Sequence, residues 1–278
     1  MDTIEQLRIK CGKKMTPEQR KQRPWFTEKV TRRFSIYLTW LFIRFGITAN
    51  QVSLSVLILG IISGGAFIWG HFFVGVLFLQ IWYLLDAVDG EIARYHRAND
   101  LTGDYSDKLM HYVIEAWIFY TLGVGMAREY DSFWFQHLGL WVACFFTLLK
   151  LIYDLKYRCM MLYILNTRDE VVFRKSERIA THSPRSIWIQ RVLKTYSLYP
   201  NVMNIITSAV LIDSFFEGFA WIGVKWTFLS VLLISYGVFY FAACCKGCYS
   251  ILRQREVDKE LHRVIVSHHP AVSKEQGV

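Results

Sequence analysis

Five residues whose side chains bind cations or move protons stand out because of where they sit. Asp86 and Asp89 are three residues apart at the end of an apolar run, and Asp107, His111 and Glu115 follow at four-residue spacing at the start of the next. On a helix, positions three or four apart share one face. Each group therefore forms a stripe, and a short connection between the two runs brings the stripes together at one depth. Carboxylates at the ends of apolar helices are costly and mark ion or substrate chemistry. Clustered carboxylates repel unless a cation neutralises them, and an oxygen-rich set favours Mg²⁺ or Mn²⁺. Gly90 takes a side chain away from the cluster's edge, so a bulky ligand can approach the backbone. Arg94, one turn on, offers a planar fork suited to phosphate.

The elements that must hold these residues are membrane helices. The chain of 278 residues is 53% hydrophobic and 20% charged with a net charge of +9. Apolar and basic residues must then be segregated, which excludes a soluble globule and a disordered chain. Six clustered Cys give no disulfide framework. Cys244, Cys245 and Cys248 lack a second ligand pair for zinc. No secretory h-region follows the charged start, and no Rossmann or P-loop glycine pattern occurs.

Runs of about 20 apolar residues mark membrane spans, and six are expected at 52–70, 72–85, 109–127, 132–149, 201–216 and 226–245. Residues 34–47 are apolar but short and flanked by basic residues, which predicts an amphipathic helix lying in the interface. The expected fold is an all-α integral membrane protein of six helices preceded by that interfacial helix. Its segments are a basic N-terminal stretch (1–33), the membrane domain (34–250) and a tail (251–278). Thirty of the 32 Lys and Arg fall on one side of this layout, leaving Arg128 and Lys225 opposite. The positive-inside rule then places both termini and the acidic cluster in the cytosol. The basic face suits anionic lipids or phosphorylated substrates, and no nucleic-acid partner is expected. For Lys150, Lys156, Arg158, Arg185, Arg191 and Lys194, an acceptor site and simple snorkelling to the interface are both open, snorkelling being favoured for most.

The run from Asp86 to Asp107 resembles the signature of the CDP-alcohol phosphotransferase family, D-x2-D-G-x2-A-R, eight or nine residues, then G-x3-D-x3-D. Asp86, Asp89, Gly90, Ala93, Arg94, Gly103 and Asp107 match, with eight residues between Arg94 and Gly103. Upstream, Thr48, Asn50 and Ser53 resemble the T-P-N-x-[VI]-T segment that opens the family's first membrane helix, and the resemblance extends over roughly residues 25–250. It implies transfer of a substituted phosphate from a CDP-linked donor, either CDP-diacylglycerol or a small CDP-alcohol, to an alcohol acceptor with release of CMP. It also implies two divalent metals on Asp86, Asp89 and Asp107, a donor held by Asn50, Ser53, Gly90, Ala93, Arg94 and Gly103, and a homodimer among the membrane lipids. Gly123, Gly125, Gly139 and Ala143 are small residues of the kind that let helices approach in such an assembly.

The departure is His111, which stands where the family has its last Asp, the proposed base and a metal ligand. Three readings follow. His111 is the base; it is a metal ligand oriented by Glu115; or it is a filler that leaves a nucleotide- or lipid-binding pseudoenzyme. A UbiA-like prenyltransferase also uses membrane carboxylates, but in two separate motifs opening N-D-x2-D, of which this chain has neither the Asn nor the second.

Overall fold

The computed structural model describes residues 2–12, 26–96, 101–166, 172–173, 196, 201–216, 219–221, 224–255, 257–259, 261 and 265–266. Helices dominate: α1 (Ile4–Lys10), α2 (Arg32–Arg44, entered through a π turn at Thr27–Thr31), α3 (Ala49–Ile68), α4 (Phe72–Tyr95), α5 (Leu101–Glu129), α6 (Trp134–Asn166), α7 (Asn201–Phe215) and α8 (Phe228–Gln254). Two short antiparallel ribbons supplement them, Val172–Phe173 with Ile265–Val266 and Phe219–Trp221 with Val224–Trp226.

Among the described residues five helices, α3 to α6 and α8, are long and apolar enough to cross a bilayer, which makes the chain an integral, multi-pass membrane protein. The 15-residue α7 is apolar but shorter. Sequence expectation located the apolar cores of these helices and underestimated their length. With 29 and 33 residues at 1.5 Å each, α5 and α6 exceed the roughly 30 Å of hydrocarbon. Hydropathy drops where the helices leave the bilayer, but nothing in residues 101–108 or 150–166 breaks a helix.

The connection between α3 and α4 is tight because Gly70 adopts a φ of +77°, which costs a residue with a Cβ. Its amide reaches back to the Phe67 carbonyl at 2.9 Å. At the other end of α3, Thr48 and Gln51 form a reciprocal capping box. Inside the bundle, α3 packs on α4 and α5, α5 on α6, and α8 on α6 and α7. The core holds Trp82, Phe119, Phe146, Tyr236 and Tyr240, all buried, with Phe119 edge-on to both tyrosines.

The small residues expected to serve assembly are used within the subunit. A Cβ on Gly123 would lie 2.6 Å from the Gly139 Cα, and one on Gly125 would lie 2.1 Å from the Phe67 carbonyl oxygen. They bring α5 against α6 and against the end of α3.

Helix α2 leaves Phe34, Tyr37, Leu41 and Phe45 exposed at three- and four-residue spacing. Its opposite side is held by the chain: Ser35, Ile36 and Thr39 are buried.

Candidate active site

The C-terminal end of α4, the N-terminal half of α5 and the start of α3 converge. His111 makes the junction. Its Nε2 lies 3.0 Å from Asp86 Oδ1 and 3.6 Å from Asp107 Oδ1, so the two stripes meet as their spacing predicts. One ligand atom from each of Asp86, Asp107 and His111 falls within 4.8 Å of the others, a group able to hold a metal ion. Asp107 is half exposed and Asp86 is largely covered, which leaves the cluster open on the Asp107 side.

The imidazole is fixed from behind. Its Nδ1 is 3.1 Å from Glu115 Oε1, and Trp82 stands edge-on to the ring at a centroid distance of 5.6 Å. Glu115 is 1% exposed. Its second oxygen accepts from Lys150 Nζ at 2.7 Å, while that ammonium also sits over the rings of Tyr112 and Phe146. Glu115 thus joins an ammonium to an imidazole, which explains how a carboxylate is tolerated inside the bundle. Acceptance by Glu115 selects the tautomer of a neutral His111 with the proton on Nδ1. In the structure Nε2 also lies at donor distance from Asp86 Oδ1, the geometry of an imidazolium held between two carboxylates. With Asp86 turned to a cation, the proton kept on Nδ1 for Glu115 would leave Nε2 able to take a proton or the cation.

Lys150 departs from the snorkelling favoured for its group. It follows the apolar part of α6 directly, and α6 runs on as a helix past α5, so the side chain meets Glu115 and not the interface. Its position immediately after an uncharged run was the available signal. Arg185, Arg191 and Lys194 lie outside the described residues.

Asp89 is buried one turn beyond Asp86 and is not in the three-residue group. Its Oδ2 accepts from Ser53 Oγ at 3.0 Å, which links α4 to the first turns of α3. Asn50 is exposed on the same α3 terminus. Gly90 leaves room for a side chain of this chain: a Cβ there would lie 3.1 Å from a terminal nitrogen of Arg94. The guanidinium thus lies along the Gly90 backbone, while Nε donates to the Cys11 carbonyl at 2.7 Å. Ala93 is partly covered on this helix, and a Cβ on Gly103 would meet nothing within 4 Å.

One carboxylate escaped sequence reasoning. Glu91 is buried on the other side of α4 and accepts from Ser35 Oγ at 2.8 Å and Thr39 Oγ1 at 2.7 Å. The two hydroxyls recur at i, i+4 on α2, a spacing that could have paired them with an acid.

Residues 46–182 match the family model described as CDP-alcohol phosphatidyltransferase, a stretch that contains every residue of the cluster. No curated protein matches the sequence. Among solved structures, the chain is similar in fold to the phosphatidylinositol phosphate synthase of Mycobacterium tuberculosis, solved with CDP-DAG bound. Identity is 15% at a TM-score of 0.55, over 79% of this chain and 94% of that one. Through residues 46–182, then, the chain matches the CDP-alcohol phosphatidyltransferase family.

Proposed function

We propose that this membrane enzyme transfers a substituted phosphate from a CDP-linked donor to an alcohol at the cluster of Asp86, Asp107 and His111. The acceptor oxygen attacks the phosphorus that carries the non-cytidine group. A new P–O bond forms, the P–O bond to CMP breaks, and CMP departs with the electron pair. The observation that carries this reading is the convergence of two carboxylates and an imidazole within 4.8 Å in a chain that matches this family.

The donor set fits a hard divalent cation: carboxylate oxygens from two helices, with one borderline nitrogen, suit Mg²⁺ or Mn²⁺. Asp86 and Asp107 would hold such an ion, and Asp89, one turn along, would share a second. When bound, the ions neutralise the donor's phosphates and the charge that develops on CMP. Arg94 would hold a donor phosphate beside the Gly90 backbone, with Asn50, Ser53, Ala93 and Gly103 shaping the rest of the donor site.

His111 would take the acceptor proton on Nε2, with Glu115 fixing the ring and Lys150 fixing Glu115. Its placement 3.0 Å from Asp86 favours a second reading, in which Nε2 completes the metal site. Metal titration separates the two: His111→Ala keeps its affinity for Mn²⁺ if the ring is only the base, and loses it if the ring is a ligand.

The CDP-DAG bound to the mycobacterial relative makes CDP-diacylglycerol the first donor to try, with small CDP-alcohols beside it. Purified protein should release CMP with one of these, lose the activity on chelation and regain it with Mg²⁺ or Mn²⁺. Full activity in excess chelator rejects the metal. No CMP release from any CDP-alcohol, with tight donor binding kept, supports the pseudoenzyme.

The same proposal includes α7 as a sixth span, α2 in the interface, a homodimer, and the motif end of the bundle in the cytosol. The bias of basic residues supports the orientation. Cysteine placed by Ser132→Cys, between α5 and α6, should react only with reagent added from the side opposite the motif; labelling from the motif side alone reverses the topology.

A further inference from the structure

A cavity of about 640 Å³ lies between α1, the π turn and α2, lined by Arg8, Lys29, Arg32 and Arg33 and by the carboxylates Glu28 and Glu91. Glu91 already has a hydroxyl on each oxygen. Four cations around a space of this size fit an organic phosphate. We propose that the cavity binds the phosphate headgroup of an anionic phospholipid from the leaflet on the motif's side, and that its occupancy holds Arg94 at the donor site.

Position selects the lipid over a reactant. Glu91, which lines the cavity, is five residues from Asp86, roughly 140° around α4. An occupant therefore sits on the face of α4 turned away from the reacting cluster. Tyr37, also in the lining, belongs to the exposed apolar stripe of α2 with Phe34, Leu41 and Phe45. Cationic cavity and apolar stripe are thus continuous, as headgroup and acyl region are in a lipid.

Helix α1 carries the coupling. Leu7 and Cys11 pack with Ile36 of α2, Asp2 accepts from Tyr95 at 2.9 Å on α4, and the Cys11 carbonyl accepts from Arg94. A phosphate bridging Arg8 to Lys29 and Arg33 fastens α1 onto α2, and with it the acceptor that orients Arg94. The role given to Arg94 rests on the proposed function; the lipid site does not.

The buried Cys11 reports on the docking of α1. Burial pushes its thiol up to about 11, so at neutral pH it stays protonated and reacts slowly until α1 lifts. The test uses the full chain in nanodiscs of phosphatidylcholine, with or without phosphatidylglycerol, and a third arm with glycerol 3-phosphate in solution. Cys11 alkylation is followed by peptide mass spectrometry and donor use by CMP release.

Phosphatidylglycerol should slow Cys11 alkylation and lower the donor KM. Lys29→Gln with Arg33→Gln should weaken the phosphatidylglycerol response about fivefold per cation removed. A control pair outside the cavity, Arg44→Gln with Arg253→Gln, should preserve it. Equal losses in both pairs, or alkylation indifferent to phosphatidylglycerol, overturn the site. Protection by glycerol 3-phosphate alone replaces the lipid with a soluble phosphate ester and also overturns it. Protection by phosphatidylglycerol without any CMP release upholds the lipid site while the proposed function fails.

Discussion

Helix α4 carries acids on two faces, and they are treated in opposite ways. On one face, Glu91 is buried with a hydroxyl from α2 on each oxygen, and its hydrogen bonds are closed by the protein. On the other, Asp86 meets a second carboxylate through His111, and Asp89 accepts from Ser53 at the start of α3. Satisfied polar groups hold helices together. Like charges gathered at an open edge cost stability and persist where a ligand completes them. Burial does not tell the two faces apart, because Glu91 and Asp89 are both buried. The identity of the partners does.

The contrast is broken most strongly at Asp86. Asp86→Asn keeps the shape and removes the charge, so CMP release should fall at least about a hundredfold with thermal unfolding unchanged or improved. A variant with nearly full activity would place the reaction elsewhere. His111→Ala should cost about a hundredfold if the ring is the base, while donor binding by calorimetry persists, since the proposed donor contacts lie on α3, on α4 and at Gly103. His111→Asp restores the family's residue and should retain activity; an inactive parent that gains activity from it is a pseudoenzyme.

Behind the ring, effects should be smaller and coupled. Glu115→Gln should cost about tenfold, in the range of residues that orient a ligand or base. Lys150→Met should cost less in turnover but shift the metal or pH response in the same direction, because it acts through Glu115. A double variant no worse than Glu115→Gln alone is the signature of that chain of contacts. Additive losses would show that Lys150 acts independently, on the acceptor for instance.

What the sequence made legible follows from periodicity. The stripes Asp86–Asp89 and Asp107–His111–Glu115 rest only on 3.6 residues per turn, and the structure joins them at His111. The apolar runs located the spans, since hydropathy reports contact with lipid, but not the helix ends, which project beyond it. Partners from distant segments were harder. Lys150 reaches Glu115 across 35 residues and Ser35 reaches Glu91 across 56, and no local pattern encodes such pairings. The glycines show the complementary limit. Their smallness was visible, but whether Gly123 faces Gly139 or a second subunit depends on the rotation of α5, which the three-dimensional packing decides.

The smallest effect on catalysis is expected at Glu91, and it tests whether a closed polar group is structural. Glu91→Ala removes the acceptor and leaves Ser35 and Thr39, both buried, with hydroxyls that lack it. The cost should be about 1–3 kcal/mol of stability, read as a lower unfolding temperature, while CMP release per folded molecule changes less than about threefold. Replacing the whole group by apolar residues (Glu91→Leu with Ser35→Ala and Thr39→Val) removes donors and acceptor together and should recover most of the stability, because a satisfied buried network and a well-packed apolar one are close in free energy. The same logic fails on the other face: no apolar replacement of Asp86 should recover turnover, since the partner it needs is the ligand and not the protein. If the triple variant stays folded but loses CMP release, the two faces of α4 are coupled through Arg94, and Glu91 belongs with the machinery that positions it.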